Sequence, residues 1–302
     1  MDNLPHLKIT LRNLIITIIL IAGAGCNQTY KLDGEFDGER AYADVEYQVS
    51  LGARVPGSFA HTQIREWISG QVKNSGWLVE IQTVNINGLD IFNIVAKKEK
   101  KEDLPWVIIG AHYDTRKVAD KDPVFSNRVQ PVPGANDGAS GVSILLELSR
   151  SLPAEIGANI WLVFFDAEDN GNLPGGEWIL GSRTFVESLE GRPEAVIILD
   201  MVGDEDLNIF YEKNSDQNLS REIWKTAEDL GFGDKFIAFP KHRVIDDHLP
   251  FVQAGIPAVD IIDLDYPFWH TTGDTLDKVS AESLDIVGQV VLTWLRTNYG
   301  SD

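Results

Sequence analysis

A histidine and an aspartate lie at the boundaries of predicted secondary-structure elements in the middle of this 302-residue sequence. An apolar run at residues 107–109 leads into His112, and Asp137 lies in the glycine-rich stretch PGANDGASG, directly before a helical pattern. A short apolar run followed by glycine is typical of a strand buried on both faces. Imidazole nitrogens and carboxylate oxygens are both zinc ligands. Taken alone, a histidine and an aspartate at strand ends are more often a buried polar pair or a helix cap than metal ligands.

The same arrangement recurs along the chain. Three later apolar runs, at residues 160–165, 195–199 and 258–262, are followed by further acids and a second histidine: Glu168, Asp169, Asp200 and His270. Because the carboxyl ends of strands in an open α/β sheet line one crevice, we expect all six residues to converge there.

Four carboxylates and two imidazoles at one edge of a sheet require a compensating charge. Two like charges about 4 Å apart repel by roughly 4 kcal/mol at an effective dielectric constant near 20. A divalent cation removes this repulsion, and the presence of imidazole favours zinc over calcium or magnesium, which prefer all-oxygen ligands.

Neighbouring side chains do not easily bind one ion from the same side. We therefore predict that one of Glu168 and Asp169 binds metal and that the other acts as a general acid or base, although a solvated loop pair is the simpler interpretation of these two residues in isolation.

Helical spacing alternates with the apolar runs. Apolar residues recur with helical period from Gly138 to Leu152, and further helical patterns occupy residues 41–50, 64–72, 182–189, 220–230, 247–254 and 281–296. Residues 77–84 and 91–97 predict two strands joined at Asn87-Gly88. This order predicts one α/β domain, a three-layer α/β/α sandwich.

The charge and cysteine content limit the possible partners. The formal net charge of −20 argues against a nucleic-acid partner, because phosphates would be repelled. An amine-bearing substrate is compatible with this charge, although a solvated acidic surface is the simpler interpretation. A single cysteine excludes an internal disulfide, so stability has to come from the apolar core.

The N-terminus predicts export. Lys8 and Arg12 precede an apolar run at residues 14–22, and small residues follow up to Cys26. The segment resembles a bacterial lipoprotein signal, in which Cys26 becomes the lipidated first residue. An ordinary cleaved signal and an uncleaved anchor are the alternatives. We expect a signal at residues 1–25, a tether at 26–44 and one catalytic domain at 45–302, with the protein exported and lipid-anchored to the cell envelope, on its periplasmic or extracellular face.

Six motifs in order carry a resemblance to a known family: GAHYD at 110–114, PGANDGASG at 133–141, FFDAED at 164–169, LGSRTF at 180–185, LDMVG at 199–203 and WHTTGDTLDKV at 269–279. They resemble the zinc aminopeptidases of the M28 type and the related glutaminyl cyclases. The resemblance implies a mixed, mostly parallel central sheet flanked by helices.

The resemblance also implies roles for the residues at the predicted edge. Zinc ligands would be Asp137, Asp169 and His270, and the general base would be Glu168. His112 and Asp200 match the second metal site of the two-zinc aminopeptidases, so one or two zinc ions are expected. Asp169 is a departure, since many members of the family have glutamate at this position.

Three features resemble the cyclases more than the peptidases. A long link, NGNLPGGEWIL, follows Asp169; the segment VIDDHLPF at 244–251 contains Asp246, which matches the cyclases' catalytic aspartate; and Trp269 matches a tryptophan of their pocket. Asp200 and Asp246 would orient Glu168. The resemblance therefore implies conversion of the N-terminal glutamine of peptides or proteins to pyroglutamate with release of ammonia. A metallo-aminopeptidase is the alternative, and a non-catalytic domain on the same fold is a third hypothesis.

Overall fold

The computed structural model describes residues 34–98, 101, 103–153 and 155–300. Across these residues, every helix is too short or too polar to traverse a lipid bilayer. The predicted signal and Cys26 lie outside the described residues.

A six-stranded mixed sheet forms the middle layer. The eight strands of the described chain are β1 (Leu78–Ile86), β2 (Leu89–Lys97), β3 (Trp106–His112), β4 (Asn159–Phe165), β5 (Ala195–Asp200), β6 (Ile209–Tyr211), β7 (Phe236–Pro240) and β8 (Ala258–Ile262). The large sheet has the order β1-β2-β4-β3-β5-β8, and β6 pairs with β7 separately. Strands β4, β3, β5 and β8 run parallel, whereas β1 and β2 form an antiparallel extension. The sheet is therefore mixed and mostly parallel, as predicted.

Helices cover both faces of this sheet. They are α1 (Gly38–Ser50), α2 (Phe59–Asn74), α3 (Ala139–Ser151), α4 (Leu180–Glu187), α5 (Gln217–Asp229), α6 (Leu249–Gln253) and α7 (Ala281–Tyr299), with short 3-10 helices at Phe125–Val129 and Leu276–Lys278. Alternate residues of β3 belong to different cores: Val107 and Ile109 pack with α1, α2, α3, α5 and α7, whereas Ile108 packs with α4 and α6. This period of two produces the predicted three-layer sandwich.

The hairpin of β1 and β2 turns at the predicted dipeptide. Asn87 and Gly88 have φ values of 53° and 88°. A two-residue turn of this kind requires positive φ at both central positions, which asparagine and glycine adopt at low cost. Both strands extend two residues further towards the turn than the sequence pattern predicts.

The folded domain begins before residue 45. Phe36 is buried in the main core, and α1 begins at Gly38. The guanidinium of Arg40 donates to both carboxylate oxygens of the fully buried Glu147 at 2.6 Å. Residues 36–44, which we assigned to the tether, are therefore part of the domain. The start of α1 was missed because ion pairs hold its first turn, so the sequence there lacks an apolar period.

Candidate active site

The six residues predicted to converge lie together at the carboxyl edge of the sheet. His112 and Asp200 are the last residues of β3 and β5, and Asp137 lies two residues before α3. The other three lie in the loops after β4 and β8: Glu168, Asp169 and His270. All six side chains are largely or fully buried.

Asp137 lies between two groups of metal-ligand type. Its Oδ1 is 3.1 Å from His112 Nε2, and its Oδ2 is 3.8 Å from His270 Nε2. Ligand atoms lie within 4.8 Å of one another in each of two trios, His112–Asp137–Asp200 and Asp137–Asp169–His270. One carboxylate therefore presents an oxygen to each trio, which suits either one metal or two bridged metals.

The backbone around Asp137 is fixed by Asp274. The carboxylate of Asp274 accepts from the backbone N–H of Asn136 at 2.8 Å and of Asp137 at 3.2 Å, while the hydroxyl of Tyr266 donates to it at 2.7 Å. A Cβ on Gly138 would lie 2.6 Å from the His112 ring, so a larger residue would displace that histidine. Asp274 lies in the WHTTGDTLDKV motif, but the sequence alone did not assign it this role.

Asp114 holds the loop that carries Glu168 and Asp169. Its carboxylate accepts from the backbone N–H of Glu168 at 3.0 Å and of Asp169 at 3.3 Å. Within this loop Ala167 has a positive φ of 53°. Asp169 Oδ1 lies 3.1 Å from His270 Nε2, whereas Glu168 lines the adjacent pocket. The two neighbours thus face different partners, as expected.

Three charged residues after β3 form a second layer around the histidines. Arg116 donates from Nη1 to Asp169 Oδ1 at 2.9 Å and from Nε to Asp120 Oδ1 at 2.6 Å. His270 Nδ1 lies 3.6 Å from Asp120, and His112 Nδ1 lies 3.5 Å from Asp114. Carboxylates behind histidines orient the rings for metal binding. Sequence analysis missed this layer, although its residues follow directly in HYDTRKVAD.

Burial and charge set the protonation of the carboxylates differently. Burial raises the pKa of Glu168 well above its usual range, and the nearby charges of Asp169 and Asp246 raise it further against the effect of His112. Burial also raises the pKa of Asp169 to about 6. Burial opposes ionisation of Asp137 too, but the hydrogen bond and charge of His112 outweigh it and lower the pKa of Asp137. Asp137 is therefore the carboxylate best suited to remain an anion.

The donor set fits zinc. Asp169 Oδ2 is buried and has no hydrogen-bond partner within the described part of the chain, although Oδ1 of the same group is occupied by Arg116. Two imidazoles with carboxylates are ligands that zinc accepts. A cation here also offsets the repulsion among the buried acids.

A pocket of about 270 Å³ opens beside the two trios. Glu168, Asp200 and Asp246 line it, and its apolar wall includes Trp178 and Trp269. Both indole rings lie against the imidazole of His270, with centroids 4.0 Å away for Trp269 and 6.0 Å away for Trp178. Trp269 was predicted at this wall. Trp178 was missed, although it lies in the long link after Asp169 and forms an isolated β-bridge with that residue.

A second group of buried acids includes Asp246, which lines the active-site pocket. We call the residues Glu212, Asp246, Asp247, His248 and Asp260 the rear cluster. His248 is fully buried, with Nε2 3.1 Å from Glu212 and Nδ1 3.4 Å from Asp260. Burial raises the pKa of Asp246 to about 7 and that of Asp247 to about 8. The burial of His248 supports a structural role for this residue.

Comparison with known proteins identifies the family. Residues 93–295 match the model of peptidase family M28, and the chain belongs to that family. The fold and the site together define a zinc-dependent enzyme of the M28 type.

The similar proteins include both glutaminyl cyclases and a Zn-dependent exopeptidase. The structure of a glutaminyl cyclase from Porphyromonas gingivalis is 32% identical and superimposes with a TM-score of 0.83 over 88% of this chain and 100% of that chain. A Zn-dependent exopeptidase from Parabacteroides distasonis is also 32% identical, with a TM-score of 0.81 over 87% and 99%. A glutaminyl-peptide cyclotransferase from Bothrops jararaca is 26% identical over 80% of this chain and 78% of its own length.

Proposed function

We propose that this enzyme converts the N-terminal glutamine of peptides or proteins to pyroglutamate with release of ammonia. The observation that carries the proposal is Glu168, a buried carboxylate whose pKa is raised by burial and by neighbouring acids, in a small pocket with two tryptophans on its wall. A general base works best when its pKa lies near the working pH. The similarity to glutaminyl cyclases supports the same activity.

Asp137, Asp169 and His270 would hold the zinc ion. Zinc bound there supplies Lewis-acid polarisation of the substrate's γ-amide carbonyl. The α-amino nitrogen of the substrate forms a bond to the carbon of the side-chain amide, Cδ, and the bond from that carbon to the amide nitrogen breaks. Glu168 takes the proton from the attacking amine and gives it to the departing ammonia. Both nitrogen atoms and the transferred proton are thereby accounted for.

The surroundings of Glu168 suit this proton transfer. Asp200 and Asp246 line the same pocket, and negative charge near a carboxylate raises its affinity for a proton. Trp178 and Trp269 present apolar rings, which reduce the access of water. Exclusion of water favours attack by the substrate's own amine over hydrolysis.

The deciding experiment compares two peptides. The domain from Gln28 onward, loaded with zinc, is incubated separately with a peptide that begins with glutamine and one that begins with leucine, and the products are followed by mass. We expect loss of ammonia from the first peptide and no change in the second. Release of free leucine would instead establish an aminopeptidase.

The second candidate function is a metallo-aminopeptidase. The trio His112–Asp137–Asp200 favours it, because Asp137 presents one oxygen to each trio, as a bridging ligand of two metals would. The similarity to a Zn-dependent exopeptidase supports it too. In that reaction Glu168 would take a proton from water instead of from an amine. Two zinc ions per chain together with release of leucine would favour this candidate, whereas a non-catalytic domain would show neither product.

We also propose that the protein is exported and held at the cell envelope by a lipid on Cys26. The support is the sequence of the N-terminus alone, with its basic residues, apolar run and small residues before the only cysteine. Metabolic labelling with a radioactive fatty acid tests it. Cys26→Ser should abolish labelling, and label that persists in this variant contradicts the proposal.

A further inference from the structure

We propose that a second, basic pocket beside the active-site pocket binds acidic residues that follow the substrate's N-terminal residue. This basic pocket has a volume of about 490 Å³ and is lined by Lys213, Arg221 and Arg243 among others. This proposal rests on the proposed function only for the identity of the substrate's first residue. The basic pocket would contact the residues that follow that first residue.

The three cations of the basic pocket have no acidic partner. Within the described part of the chain, no carboxylate oxygen lies within 4 Å of a charged nitrogen of Lys213, Arg221 or Arg243. Arg221 donates to the amide oxygen of Asn218 at 2.6 Å, and Arg243 donates to that of Asn214. Amide groups do not neutralise a guanidinium. In a chain that has 46 acids for 26 bases, three cations line this one cavity.

One carboxylate does line the basic pocket, but it is already used. Glu212 is buried and accepts from the backbone N–H groups of Asn214, Ser215 and Val244. The hydroxyl of Ser215 also donates to Glu212 at 3.1 Å, and His248 Nε2 lies 3.1 Å from it. These contacts compensate the charge of Glu212, so the exposed rim of the basic pocket remains positive.

Arg243 connects the two pockets, since its side chain lines both of them. A substrate whose first residue fills the active-site pocket therefore leaves past Arg243. An extended chain advances roughly 3.3 Å per residue, so the residues after the first one reach the basic pocket within a few positions.

The occupant is an acidic peptide segment attached to the residue that enters the active site. Long polyanions are repelled by the net charge of −20. Beyond a Debye length of about 8 Å at physiological salt this repulsion is screened, so the three nearby cations dominate for a short segment. The rest of the substrate's binding energy comes from the residue in the active-site pocket.

Two amidated peptides of equal length test the proposal, Gln-Glu-Glu-Ala and Gln-Gln-Gln-Ala. The native enzyme should show a kcat/KM about three to ten times higher for the acidic peptide, mainly through KM, because an exposed ion pair contributes only about 0.2–1 kcal/mol. In the double variant Lys213→Gln/Arg221→Gln this ratio should fall close to one. The matched control is Lys73→Gln/Arg192→Gln, which removes two exposed cations that line neither pocket and should keep the native ratio.

A binding measurement separates this proposal from the proposed function. Both peptides carry a fluorophore at the C-terminus, and their Kd is measured on the Glu168→Gln background, in which turnover is not needed. Tighter binding of the acidic peptide that Lys213→Gln/Arg221→Gln removes supports the basic pocket, even if the enzyme proves not to cyclise glutamine. Equal Kd values for the two peptides, or a preference that survives the double substitution, overturn it.

Discussion

Two groups of buried acids meet at the active-site pocket and differ in their partners. We call His112, Asp137, Asp169, Asp200 and His270 the rim cluster. Each of its three aspartates lies within 3.2 Å of an imidazole nitrogen, and Asp169 also accepts from Arg116. The rear cluster has four carboxyl groups around one histidine, and the carboxylate oxygens of Asp247 and Asp260 have no hydrogen-bond partner in the described chain.

This difference in cationic partners separates two uses of the same side chain. His112 lowers the pKa of Asp137 despite its burial, whereas burial raises the pKa of Asp169 to about 6, that of Asp246 to about 7 and that of Asp247 to about 8. An aspartate with a cationic partner can serve as a metal ligand. The acids of the rear cluster hold a proton more readily, and Glu168, whose pKa is also raised by burial, lines the active-site pocket with Asp246.

Asp137→Asn should have the largest effect. The substitution keeps the shape of the side chain but removes the charge shared by both trios of the rim cluster. We expect zinc content near zero and a fall in activity of at least about a thousandfold, since a metal ion supplies several kcal/mol of catalysis. Elemental analysis and the rate with the glutamine peptide measure this. Asp277→Asn, an exposed acid, is the control, and full zinc occupancy in Asp137→Asn would remove the bridging role.

Glu168→Gln should separate catalysis from metal binding. The amide cannot accept the proton, so activity should fall by about 10² to 10⁴. Zinc content should be unchanged, because the rim cluster binds the metal without this residue. Parallel rate and zinc measurements test both statements. Activity within tenfold of the native enzyme would reject Glu168 as the base.

His248→Gln should destabilise the domain with less effect on the rim cluster. Loss of the imidazole removes the contact between His248 Nε2 and the buried carboxylate of Glu212, and leaving a buried polar group without its partner costs up to about 3 kcal/mol. Urea unfolding of the zinc-free domain measures the loss. His242→Gln removes a partly exposed histidine 3.1 Å from Asp265 and should cost less than about 1 kcal/mol. Equal costs for the two variants would contradict the distinction.

The rear cluster should also impose a pH dependence on stability. The pKa of Asp246 is raised to about 7 and that of Asp247 to about 8, against about 3.9 in an unfolded chain. Between pH 4 and 8 the folded state therefore binds more protons than the unfolded state, and the free energy of unfolding falls as the pH rises.

Thermal unfolding of the zinc-free domain with a chelator measures this slope, and Tm should decrease from pH 5 to pH 8. Asp247→Asn resembles the protonated aspartate, so the decrease should be smaller in that variant. A Tm that stays constant or rises over this range would show that the rear acids are ionised in the folded protein.

The sequence by itself determined the layers of the fold and the six residues of the site. Strand and helix periods are local, and strands that run parallel in one sheet bring their last residues to a common edge, so His112 and Asp200 could be placed from pattern alone. The tertiary structure decided the rest. Asp274 holds Asp137 across more than 130 residues of chain, Trp178 reaches His270 through a loop without periodicity, and Asp114 binds the backbone N–H groups of both Glu168 and Asp169. The sequence could not predict the protonation states of the buried carboxylates either. These states depend on desolvation and on the distance to a cation, which are set only when segments far apart in the chain pack together.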